Sequence, residues 1–205
     1  DLAVSQLSNA QGGLVNSHEH LKIQVANLNN QGGQLTSLKT LELKAGQVDN
    51  SNAGRIASNQ ALSASVTGLD QRNGGRLTSV GQLSLDLNNG HLNNQGGLIR
   101  GPSLVLKDLA DVSNQGGEIS SQQSFTLAAR ALDNSAGKLI SSQVLTLNAD
   151  SLNNSANGLM SGWQGLNVSG GSLDNRNHGT LSSRNGAIDV RLSGALQNNN
   201  EGALV

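Results

Sequence analysis

The chain contains no cysteine and no tyrosine, and only one residue each of proline, phenylalanine, tryptophan and methionine among 205. Without cysteine there is no disulfide scaffold, thiolate metal site or cysteine nucleophile. That absence leaves the compartment open, because a large secreted β protein with a long core needs no disulfide. Charge is also scarce: 13% of residues are charged, summing to −1, about half the usual share. Scattered lysines and arginines in a near-neutral chain give no electrostatic footprint for nucleic acid. No apolar run approaches the ~20 residues that cross a bilayer. No basic-then-apolar leader opens the sequence, so neither a membrane span nor a signal peptide is expected in it.

What the chain has in quantity is asparagine and glycine, 26 of each, beside 35% hydrophobic residues. They are arranged as a repeat. An aliphatic recurs at Leu7, Leu28, Val48, Leu69, Leu92, Val112, Leu132, Leu152, Leu173 and Leu196, at intervals of 20 to 23 residues. Two residues later stands an amide each time: Asn9, Asn30, Asn50, Gln71, Asn94, Asn114, Asn134, Asn154, Asn175 and Asn198. A glycine follows in every unit (Gly13, Gly33, Gly54 and onward to Gly202), then an aliphatic two residues on, then usually a serine, then an alternating apolar pair such as Leu41/Leu43 or Leu145/Leu147.

The local period is two, the signature of half-buried strands, and a glycine with an Asn cluster in each unit disfavours helix. Each unit therefore reads as three short strands separated by polar corners. One unit cannot bury its apolar face alone, but copies stacked at ~4.8 Å can, with leucines in columns and the amides in a ladder. The fold class expected is all-β, a right-handed parallel β-helix of nine to ten coils. The recurrent glycine is expected to supply a backbone conformation that bulkier residues reach only with strain. A leucine-rich repeat would need a helical return segment where this chain has Asn-Gln-Gly-Gly. Calcium-binding nonapeptides would need stacked aspartates, and a hexapeptide helix a strict period of six.

The units "LNNQGGQLTSLKTLELKAGQ", "LDNSAGKLISSQVLTLNADS" and "LNNQGGLIRGPSLVLKDLAD" resemble the haemagglutinin repeats of filamentous haemagglutinin-type exoproteins. These include the adhesins of two-partner secretion and the stalks of contact-dependent inhibition toxins. The resemblance spans residues 7–205. It implies a β-helical shaft, secreted or on the surface of a Gram-negative cell, exported by an outer-membrane two-partner-secretion transporter. It also implies contact with a host or neighbouring-cell surface, with glycans among the targets. Residues 1–205 are expected to form a single repeat segment, an uncapped piece of a longer shaft whose open strand edges favour end-to-end self-association.

Catalytic chemistry finds little support. Asp49 and Asp70 share a column in adjacent coils, but Asn153 separates Asp133 from Asp174, and the position reads as an outward polar one. Arg55 stacks over Arg76, with Asp49 and Asp70 near enough to neutralise them, and Glu118 faces Lys138 as a surface ion pair. His18-Glu19-His20 offers two imidazoles but no third ligand for zinc. The serine column is expected to point inward as a ladder, which leaves no activated nucleophile. An enzyme, a cofactor and a metal are therefore not expected.

The irregular positions supply the binding candidates. Two units are 23 residues long, and insertions in solenoids map to loops that often bind. One of these contains Asn89 and His91. On an outward corner column, Trp163 and Arg184 are neighbours, with Asn185 beside them, an arrangement suited to stacking on a sugar or holding a protein loop. The candidate partner-binding residues are thus Trp163, Arg184, Asn185, Asn89 and His91. The function expected is a rigid shaft displaying a distal binding or toxin domain. The alternative is that the segment itself binds glycans or a receptor. A polysaccharide-processing enzyme ranks third.

Overall fold

A computed structural model describes all of Asp1–Val205. Its 23 strands and complete lack of helix form two parallel sheets, one of 13 strands and one of ten. Coils are counted from the recurrent aliphatic, so coil 1 starts at Leu7, coil 5 at Leu92 and coil 10 at Leu196. Each coil contributes a short strand to the ten-strand sheet, such as Lys138–Ser141, and a longer bent strand to the other, such as Val144–Asn153. The bent strand has two pairing segments, Val144–Ala149 and Ser151–Asn153. The three segments of each coil are therefore present, two of them usually continuous. They separate as Leu62–Ser65 and Gly68–Asp70 where coil 3 meets coil 4, and as Ile188–Leu192 and Leu196–Gln197 where coil 9 meets coil 10.

Register follows the repeat. Ile119 pairs with Leu139 and Leu139 with Met160, and all three are 0% exposed. Leu127, Leu147 and Val168 stack in the same way on the next segment, so alternate residues of every strand build one core along the axis. Stability in such a solenoid is close to a sum over coils and their interfaces.

The amide column lies inside, and its members form a ladder. Asn114 Nδ2 donates to Asn134 Oδ1 (2.7 Å), Asn134 Nδ2 to Asn154 Oδ1 (2.8 Å) and Asn154 Nδ2 to Asn175 Oδ1 (2.8 Å). Each Nδ2 also reaches a backbone carbonyl of its own corner, as Asn134 does to Gly137 O (3.3 Å). The serine column is different from expectation. Rather than bonding to one another, its hydroxyls donate to corner carbonyls: Ser37 to Glu19 O (2.6 Å), Ser121 to Pro102 O (3.1 Å) and Ser141 to Gln123 O (3.0 Å).

The recurrent glycine also has a different cause. Left-handed backbone falls on the residues before it, including Ala136 (φ 54°), Asn157 (φ 66°) and His178 (φ 64°). The glycine itself is needed because the coil beneath comes too close. A Cβ on Gly137 would lie 2.1 Å from Asn114 O, and one on Gly33 would lie 1.8 Å from Asn9 O. The ladder asparagine thus sets both the interior amide and the missing side chain of the next coil.

Seven of the ten residues that precede a ladder amide are Asp or Asn, and they have a role that alternation does not reveal. Asn29, Asp49, Asp70, Asn93, Asp133, Asn153 and Asp174 each accept, through Oδ1, from the backbone N–H two residues on, at 3.0 to 3.3 Å. This Asx turn guides the chain into the corner. Asp133 also accepts from Gln115 Nε2 (2.5 Å) and Asn153 Nδ2 (3.1 Å). Asp133→Ala should accordingly cost about 1 kcal/mol, read as a lowered urea midpoint, whereas Asp133→Asn should keep most of that stability. An alanine variant with the parent's midpoint would reduce the turn to decoration.

Candidate partner-binding corner

The corner after each short strand carries an outward residue, and its apolar members are exposed: Leu38 at 47%, Val80 at 70% and Trp163 at 45%. Trp163 follows the short strand Leu159–Gly162 of coil 8, and its N–H donates to Ser141 O (3.0 Å) in coil 7. Asn185 lies one coil above and donates its backbone N–H to Trp163 O (2.8 Å). Stacking therefore brings these residues together. The Arg184 guanidinium carbon sits 4.7 Å from the centre of the indole, inside cation–π range. With the Asn185 amide turned to suit its neighbours, its oxygen accepts from Trp163 Nε1 (3.0 Å) and its nitrogen donates to Arg184 O (3.2 Å). The indole is held at its tip and one face while nearly half its surface stays in solvent. The contact to Asn185 had no signal in the sequence beyond adjacency to Arg184.

Asn89 and His91 lie elsewhere. They belong to coil 4, on the bend of the strand Leu83–Asn93. There Asn88 (φ 49°) and Asn89 (φ 62°) turn the inserted residues outward. Asn88 Nδ2 fastens this bulge to Val66 O (3.0 Å). His91 Nδ1 is 3.4 Å from Asp111 Oδ2, and Asp111 is gripped by Arg130 through both carboxylate oxygens. The hydrogen bonds from Arg130 hold the Asp111 carboxyl below its usual range, with help from the Arg130 and His91 charges. The five candidates thus form two sites on different corners, four coils apart.

The remaining polar groups resolve into local pairs. Asp49 and Asp70 are in register, yet Asp49 accepts from Ser51 Oγ (2.7 Å) and from Gln31, and Asp70 is forked by Arg72 (2.6 to 3.0 Å). They cap corners and do not act as a pair. They are also taken, so Arg55 and Arg76 stack in register without the carboxylate partners expected for them. Glu118 bonds to Arg100 (2.5 Å) across two coils' outer face, although Lys138 is its register partner. Burial works to raise the Glu118 carboxyl, but Ser120 and Arg100 outweigh it and hold the group low. Within His18-Glu19-His20, Glu19 pairs with Lys39, and His20 Nδ1 lies 2.6 Å from Thr40 Oγ1. Three metal-ligating side chains do not gather there or elsewhere.

No helix is long and apolar enough to cross a membrane. No curated protein and no solved structure matches the chain. The family model of the haemagglutinin repeat matches residues 1–52, 39–106, 108–162 and 145–200. This repeat characterises structural adhesins that are secreted or held at cell surfaces. The ladder, the columns and the family match converge: the chain belongs to the haemagglutinin-repeat family, and its β-helix fits an adhesin shaft.

Proposed function

We propose that this segment acts as a stiff spacer in a secreted exoprotein of a Gram-negative cell, exported by an outer-membrane two-partner-secretion transporter. In this role it holds a distal binding or toxin domain away from the surface that displays it. The observation that carries the reading is the ten-strand sheet, unbroken from Leu14–Ser17 to Ala203–Leu204. At ~4.8 Å per strand it runs roughly 45 Å. A spacer of near-equivalent units should tolerate loss of one. Deleting residues 132–151 joins Ala131 to Leu152 in phase with the repeat, and should leave a folded rod shorter by ~4.8 Å, measured by small-angle scattering. Collapse of the fold on removing this one coil would argue against interchangeable units.

A second reading is favoured by the fixed, half-exposed indole: Trp163, Arg184 and Asn185 form a platform for a glycan or a protein loop. Because Trp163 is the only tryptophan, its fluorescence has a single source. The platform reading expects ready quenching by acrylamide, protection by a bound glycan from an array screen, and loss of binding in Trp163→Ala with a nearly unchanged melting temperature. Shielding in the free protein, with a loss of about 2 kcal/mol or more in the variant, would make Trp163 a packing residue and leave the spacer reading alone.

A further inference from the structure

Coil 5 lacks hydrogen bonds toward both of its neighbours, for two separate reasons. Toward coil 4 the fault is in the ladder. Gln71 is the one ladder residue that is not asparagine. Its oxygen is reached by Asn50 Nδ2, but Gln71 Nε2 and Asn94 Oδ1 are both buried without a partner. Elsewhere those two atoms would meet, as Asn94 Nδ2 meets Asn114 Oδ1 at 2.7 Å. The additional methylene of glutamine carries its amide nitrogen past the acceptor.

Toward coil 6 the fault is in the main chain. From Ile99 to Leu104 the chain takes five residues, whereas Leu77 to Leu83, Ile119 to Phe125 and Leu139 to Leu145 each take six. The shortened corner holds Pro102. The missing residue returns one corner later, where Asp108 adopts a left-handed conformation (φ 51°). Between these changes the strand is paired on one side only. Leu104–Lys107 pairs with Leu83–Asp86 below, but pairing with coil 6 begins only at Asp111. Leu83 N–H donates to Ser103 O (2.9 Å) and Leu62 N–H to Gln82 O (2.9 Å), while Leu104 makes no such bond to Ser124. A slot opens there, lined by Leu104, Leu106, Phe125, Thr126 and Val144. Leu106 is only partly buried where its equivalents Leu43, Leu85 and Leu127 are fully buried.

We propose that coil 5 is the joint at which the rod yields. The strand Leu104–Lys107 and its corners open first, and the coils on either side stay folded and hinge about it. In a solenoid each coil is held by its two interfaces, and weakening both on one coil puts the lowest-cost opening at that coil. The joint follows from the stacking, whatever the rod displays.

Native-state hydrogen exchange on the whole chain tests this. The informative amides are Val105 and Lys107, whose strand is paired with coil 4, because amides left free toward coil 6 would exchange in any case. They should exchange at least about tenfold faster, after correction for sequence, than Glu42 and Lys44 in coil 2 or Thr146 and Asn148 in coil 7. Gln71→Asn should restore the ladder and slow exchange in coils 4 and 5. A variant with a glycine inserted after Pro102 and Asp108 deleted should slow it at the coil 6 side. Equal protection of coils 2, 5 and 7 would overturn the proposal. So would a Gln71→Asn protein whose coil 5 exchange is unchanged, a result readable even if the corner variant does not fold.

Discussion

Leu139→Asp should lower stability by about 4 kcal/mol or more, enough to melt the central coils at room temperature. Leu139 is 0% exposed between Ile119 and Met160, so the carboxylate would sit among aliphatic side chains with no hydrogen-bond donor. The neighbouring residue reports the opposite face. Ile140 pairs with Ser120 and Ser161 on the outer face, where it is half-buried, and Ile140→Asp should cost only about 1 kcal/mol, mainly from lost β propensity. Urea midpoints measured side by side check both. Similar losses in the two variants would mean that the strand does not alternate as described.

Gly137→Ala should be nearly as damaging, at about 3 kcal/mol, although it adds one methyl group. The atom it meets is a backbone oxygen, Asn114 O at 2.1 Å, with Asn134 Oδ1 at 2.7 Å. Neither can retreat without disturbing the ladder or the spacing of coils. One residue earlier the sign reverses. Ala136 has φ 54°, a conformation that costs an alanine about 1 kcal/mol relative to glycine, so Ala136→Gly should stabilise. Thermal melts of the two variants separate the explanations for the repeat's glycines. If Gly137→Ala is neutral, close coil approach is not their cause.

Much of this architecture is legible in the sequence because each coil repeats the same decisions. Ten aligned aliphatics and ten amides fix the columns, and their register is the observed one. Parity along the strand also places Trp163 and Arg184 as outward neighbours. What the repeat hides are features that depend on how closely coils approach. The glycine column looks like a turn requirement until Asn114 O is seen beneath Gly137. The Asp/Asn column looks merely polar until Asp133 Oδ1 is seen accepting from Ser135 N–H (3.0 Å). Coil 5 is concealed by arithmetic: the residue lost near Pro102 and the one gained at Asp108 cancel, leaving a unit of ordinary length. The lengthened unit with Asn89 and His91 draws the eye instead, and those two residues join a bulge held by Asn88 and a contact with Asp111.

The central claim is that successive repeats lie directly over one another in parallel register. Thr126, Thr146 and Asn167 form an outward column on coils 6, 7 and 8, and the absence of native cysteine leaves engineered thiols unambiguous. A disulfide needs Cα atoms within about 7 Å, so neighbours at ~4.8 Å qualify and residues two coils apart, at ~9.6 Å, do not. Mild oxidation of the Thr126→Cys/Thr146→Cys protein should give an intramolecular disulfide in high yield, and the Thr126→Cys/Asn167→Cys protein should give none. Free thiols in the first protein, or an equally efficient bridge in the second, would contradict the stacked coil.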